Sequence, residues 1–117
     1  MVHKEYNGWT NYETWCVNLW MSNDQSSDEY YRESAQQTYN DSEQENRLDG
    51  SVLFTRDEVA TRNLADSLKN EHEERQNELT GVSDVFADLL GAALSEVNWY
   101  EIAEHYISDV EKSEVQS

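Results

Sequence analysis

Ser/Thr-x-x-Glu, or a close variant, recurs along this chain just before stretches of helical periodicity, and no other feature limits the fold as much. In that arrangement the cap oxygen accepts the amide three residues on, and the glutamate reaches back to the amide of the cap. Two donors that a helix start leaves open are satisfied together. Thr10 with Glu13 opens TNYETWCVNLWMSN, Ser26 with Glu29 opens SSDEYYRESAQQTYN, and Thr55 with Glu58 opens TRDEVATRNLADSLKNEHEERQNEL. Asn98 with Glu101 is a looser version at the head of NWYEIAEHYISDVEK. Two starts add a hydrophobic staple across the cap, Phe54 with Val59 and Val97 with Ile102.

The apolar spacing agrees with these boundaries. Tyr12, Trp15, Cys16, Leu19 and Trp20 follow the i, i+3, i+4, i+7, i+8 pattern of one helical stripe, as do Trp99, Ile102, Ala103, Tyr106, Ile107 and Val110. VSDVFADLLGAALSEV is the most apolar stretch and reads as the central helix, with Gly91 permitting a close helix contact. The helix after Thr55 buries Val59, Ala60, Leu64 and Leu68, then runs into NEHEERQNE, polar on all sides and expected to project into solvent. Residues 40–50 read as a polar loop turning at Asp49-Gly50, SVLF as a short extended approach to the next helix, and YNGW as a turn folding Tyr6 and Trp9 back. There is no proline to interrupt any of this. The expectation is an all-α fold, a compact bundle of four to five helices forming a single domain over residues 1–117, with 1–5 and 113–117 frayed.

Charge is the next constraint. Against 25 Asp and Glu stand 8 Lys and Arg, a formal charge of −17, and only 37% of residues are hydrophobic. Such a balance leans toward disorder, but an aromatic content of 11% supplies large buried surfaces from few residues. Direct binding to nucleic acid or to an anionic membrane is disfavoured, since each phosphate contact needs a cation. A basic protein surface is the natural counterpart, with solubility or high-salt adaptation as the alternative use of the acid. A single cysteine, Cys16, allows no internal disulfide, and neither a signal peptide nor an apolar run of membrane length is visible. A cytoplasmic location follows as the expectation.

Catalytic constellations are missing. No HExxH, phosphate loop or GxSxG occurs. Glu101, His105 and Asp109 share one helix face at i−4 and i+4, which raises a metal site as an alternative, yet a helix-stabilising histidine explains the same spacing. NDSEQENRLDGS lacks alternating oxygen ligands and so is a poor calcium loop. Cys16, on the apolar stripe, reads as a buried and inert thiol. Neither enzyme chemistry, nor a metal, nor a cofactor is expected.

What remains is the carboxylate surface. Asp57, Glu58, Asp66, Glu71, Glu73, Glu74 and Glu78 line one helix, and Asp28, Glu29 and Glu33 line another. Carboxylates three or four residues apart on a helix lie ~5–6 Å from one another, of the same order as the ~7 Å between neighbouring phosphates of an extended strand. Few basic residues interleave, whereas surfaces serving solubility usually mix signs. These ten residues are therefore the candidate partner-binding surface. Exposed aromatics, Trp9, Tyr30 and Tyr31, are the candidates for a second mode of protein binding or for a homodimer.

YNGWTNYETWCVNLWMSND near the start and FADLLGAALSEVNWYEIAEHYI near the end resemble a family of small acidic proteins of phages, plasmids and archaeal viruses. That resemblance implies a mobile-element origin, and it makes Tyr12, Glu13, Trp15, Trp99, Glu101 and Ile102 structural residues of caps and core. By analogy of genomic setting and charge, the expected role is an inhibitor of a host defence nuclease or CRISPR effector, mimicking nucleic acid toward a basic host protein.

Overall fold

The computed structural model describes residues 5–80 and 85–112. Apart from Glu5, which is exposed, the segments expected to fray lie outside this range. Five helices and one small hairpin follow in the order α1 (Tyr12–Asn23), α2 (Gln25–Asp41), β1 (Glu45–Asn46), β2 (Val52–Phe54), α3 (Arg56–Thr80), α4 (Val85–Ser95) and α5 (Trp99–Ser108). The all-α class holds. No helix among the described residues is long and apolar enough to cross a membrane.

The caps are partly as expected. At α3 the Thr55 amide donates to Glu58 Oε1 at 2.9 Å and the Glu58 amide donates to Thr55 Oγ1 at 3.1 Å, the full reciprocal box. At α5 the Asn98 side chain accepts the Glu101 amide at 3.0 Å. At the first two helices a different residue nearby is the cap. Asn11, not Thr10, caps α1 and accepts the Thr14 amide at 2.9 Å; Asp24, not Ser26, caps α2 and accepts the Ser27 amide at 3.1 Å. Asn outranks Thr at this position, which accounts for α1, whereas Asp and Ser rank alike, so at α2 the choice is not one of cap preference.

The centre of the bundle is α5, not the more apolar α4. Trp99, Ile102, Ala103, Tyr106 and Ile107 are all buried on α5, which packs against α1, α2 and α3. Met21, Ala35, Tyr39, Leu64 and Leu68 close around it, as does Val97, so that both members of the Val97–Ile102 pair are buried. Burying a side chain such as Ile102 contributes about 1.5–3 kcal/mol, so this stripe is the main source of the fold's stability.

α4 buries none of its residues; Val85, Phe86 and Leu89 are 60%, 72% and 61% exposed. The cause is its neighbour. α4 leans on the second half of α3, where Gln76 Nε2 would come within 3.2 Å of a Cβ placed on Gly91. That stretch of α3 is the polar extension NEHEERQNE, which offers no apolar surface to cover the exposed side of α4. Gly91 does mark a close helix contact, at the rim and not in the core.

α1 is also turned relative to expectation. Its buried residues are Thr14 and Met21, with Val17 against the core, while Trp20 is 71%, Tyr12 51% and Leu19 37% exposed. Trp15 joins Tyr6 and Tyr12 in a satellite cluster, with ring centroids 4.8 and 5.5 Å away. The turn that holds Tyr6 there is the expected one. Asn7 and Gly8 take φ of 49° and 87°, and Tyr6 and Trp9 exchange backbone hydrogen bonds of 2.9 and 2.8 Å across them. Gly tolerates that left-handed geometry without a Cβ clash, and Asn is the next best residue there.

The loop after α2 holds more order than its composition suggests. β1 and β2 pair antiparallel, Glu45 opposite Phe54 and Asn46 opposite Val52. Gly50, at φ 92°, lets the chain reverse while Asp49 Oδ1 accepts the Ser51 amide at 2.9 Å.

Candidate interaction surface

The two distinctive segments at the ends of the chain meet. Thr10 donates its amide to Glu101 Oε1 at 2.9 Å, and Asn11 Nδ2 donates to the Glu96 carbonyl at 2.7 Å. Thr14, fully buried, donates its hydroxyl to Asn11 Oδ1 at 2.6 Å and accepts the Asn98 amide at 2.8 Å. One polar latch thus ties both helix starts together. It accounts for Glu101 and also for Thr14 and Asn98, whose joint role no local pattern signals.

The three residues of the metal alternative have other partners. Glu101 is engaged by Thr10, and Asp109 accepts from Arg32 Nη1 at 3.3 Å. His105 packs on Trp9, with centroids 5.4 Å apart. Among the described residues no three His, Cys, Asp or Glu side chains group in a way that could hold a metal ion.

The ten candidate carboxylates do not form one array. Along α3, Arg62, Asp66, Lys69 and Glu73 are exposed at spacings of four, three and four, so this outer stripe alternates in sign. Asp57 meets Lys112 Nζ at 2.8 Å, and Glu58 is spent in its capping box. On α2, Asp28 is held by Arg32 Nε at 2.9 Å, Glu29 accepts from Gln25 at 3.3 Å, and Glu33 is exposed. An uninterrupted strand-like row is therefore absent from α3. The physical reason is the helical repeat, which sends residues three and four apart to one side and intervening carboxylates to another.

Glu71, Glu74 and Glu78 do share a side, at i, i+3 and i+7. They line a cleft of about 480 Å³ with Ser27, Tyr31 and His72. A second hollow of about 250 Å³ adjoins it, sharing those last three residues and adding Cys16, Trp20 and Met21. Cys16 is half-buried in this wall and not in the core.

Of the aromatic candidates, Tyr30 is 52% exposed, but Trp9 and Tyr31 are partly buried against the core. Burial first, then the Glu71 carboxylate, pushes the Tyr31 phenol up to about 12, so the group stays neutral. The most exposed aromatics among the described residues are Trp20 and Phe86. For Trp20 a signal existed: Thr14, Val17 and Met21 form a rival stripe at i, i+3, i+7 on the same helix. For Phe86 none did, because α4 is apolar enough to suit either place.

The basic side chains are largely occupied. Arg32, Arg62, Arg75 and Lys112 sit in ion pairs. Arg47 donates to the Val52 carbonyl at 2.9 Å, and Arg56 lies over the Tyr39 ring at 4.1 Å while donating to that residue's carbonyl at 3.1 Å. Lys69 alone among the described cations makes no such contact.

No curated protein and no solved structure matches this sequence. A family model matches residues 2–116, nearly the whole chain, and the protein belongs to that family of unknown function, DUF7249.

Proposed function

We propose that this protein is a non-enzymatic inhibitor that docks its acidic surface onto the nucleic-acid channel of a basic host protein, a defence nuclease or CRISPR effector. The observation that carries the reading is the −17 charge, which makes the field outside the molecule anionic, together with the commitment of all the described cations but Lys69 to intramolecular contacts. Such a field speeds encounter with a cationic groove by about 10–10³-fold. The contact is concentrated on the Glu71, Glu74 and Glu78 flank of α3 and not spread along a strand-like row. A mobile-element origin and action in the host cytoplasm belong to the same proposal.

The test is inhibition of purified RNA-guided and restriction nucleases by the full chain, with excess DNA and rising salt as competitors. Inhibition relieved by both supports the reading. Inhibition indifferent to both, or none across the panel, removes it.

A second reading is favoured by the exposed apolar side of α4: a protein-binding module, or a homodimer, joined through Phe86 and Leu89. Its signature is opposite. Apolar association between acidic bodies strengthens as salt screens their repulsion.

A further inference from the structure

We propose that the cleft between α1, α2 and α3 is a receptor for an arginine side chain presented by the basic protein that this chain engages. The inference rests on the reading above and supplies the chemical group that it leaves open. The two hollows, about 250 and 480 Å³, run together because Ser27, Tyr31 and His72 border both. One end is aromatic and apolar, with Trp20 at the rim, 71% exposed. The other end is acidic, with Glu71, Glu74 and Glu78.

Of the groups between them, His72 can accept a hydrogen bond, and the Ser27 and Tyr31 hydroxyls can donate or accept. His72 Nδ1 lies 2.8 Å from the Leu68 carbonyl oxygen. A carbonyl only accepts, so Nδ1 carries the hydrogen, and in the neutral ring Nε2 is left as an acceptor. The Tyr31 ring stacks on His72 with centroids 6.3 Å apart and an interplanar angle of 19°. The Tyr31 and His72 faces are thus turned to each other, and the cleft offers the exposed Trp20 ring at one end, carboxylates at the other and hydroxyl and imidazole groups in the middle.

A guanidinium matches all three. It is planar, stacks on aromatic faces, carries five donors and is weakly hydrated for a cation. An anionic guest would be repelled, and a purely apolar one would strip water from the carboxylates without pairing them. The chain's own Arg75 borders the acidic end, but it is 70% exposed and stands 4.0 Å from Glu78, so it forms only a loose surface pair. Three carboxylates against one guanidinium leave the cleft negative.

The test titrates the full chain with a nine-residue arginine peptide and a nine-residue lysine peptide, reading affinity by calorimetry. The arginine peptide is expected to bind several-fold more tightly than the lysine peptide. Trp20→Ala should weaken it by about two- to fivefold, the loss of one exposed cation–π contact. Glu71→Gln, Glu74→Gln and Glu78→Gln together should weaken it by about tenfold. The charge-matched set Glu43→Gln, Asp88→Asn and Glu104→Gln, exposed and outside the lining of the cleft, should leave affinity within about twofold. Circular dichroism should be unchanged throughout, since most of these side chains face solvent.

Equal losses from the two triple variants would overturn the proposal, because attraction would then be diffuse. So would equal affinity for the two peptides with Trp20→Ala silent. Either result leaves inhibition through the overall acidic charge standing, the first of them without its focus on the Glu71, Glu74 and Glu78 flank, and that inhibition fails separately, in the nuclease assays.

Discussion

Replacing Thr14 by Val tests whether the latch between the chain's two ends holds the fold. The change is close to isosteric, so it opens little space, but it removes one oxygen with two jobs. Thr14 Oγ1 gives its hydrogen to Asn11 Oδ1 at 2.6 Å and takes the Asn98 amide at 2.8 Å. Losing a neutral hydrogen bond costs about 0.5–1.5 kcal/mol, and stranding a buried donor costs about 1–3 kcal/mol. Asn98 is only half-buried, so water recovers part of the second figure, and about 2 kcal/mol in total is expected. Urea unfolding followed by circular dichroism reads the difference directly. With a slope of roughly 1–3 kcal/mol per molar for a domain of this size, the midpoint should drop by about 1 M. Thr14→Ser keeps the oxygen and sheds only a methyl group, so it should retain most of the stability. A valine variant as stable as the parent, or a serine variant that falls equally far, would refute the reasoning.

Three further outcomes follow from packing and titration. Ile102→Ala should cost about 2–5 kcal/mol in urea unfolding, whereas Phe86→Ala, in the most apolar helix, should stay within about 0.5 kcal/mol; a large loss at Phe86 would contradict the peripheral place of α4. Arg56→Gln gives up the cation over the Tyr39 ring and its hydrogen bonds to the last carbonyls of α2, and should lower stability by about 1–2 kcal/mol by the same measurement. Tyr31 and Tyr106 are both pushed up to about 12, by burial first and then by Glu71 and Asp28 respectively. In the unfolded chain they ionise near 10, so between pH 10 and 12 the unfolded state has released protons that the folded state still holds. Stability should therefore be level below pH 10 with respect to these groups and fall from 10 to 12. Ultraviolet absorbance of phenolate beside circular dichroism checks this; stability still level through pH 12 would argue against the burial.

Local chemistry wrote much of this protein into its sequence. The capping box at Thr55–Glu58, the cap at Asn98, the left-handed turn at Asn7-Gly8 and the α5 stripe each depend on residues within a few positions of one another, and each forms as read. The same independence made a helical fold legible. What the chain could not reveal locally is which apolar face finds a partner. α1 carries two rival stripes, and the one with Thr14 and Met21 goes inward because Asn11 and Asn98 satisfy the threonine there. Among the described residues α4 packs mainly on the polar half of α3, so all but its Leu94 end stays outside. The helical repeat, folded against α2, parted the acids of α3 into an alternating outer stripe and a cleft-facing triad. Periodicity decides where helices form, while mutual burial and the pairing of distant polar groups decide which way they face, and the candidate site lies wholly within that second decision.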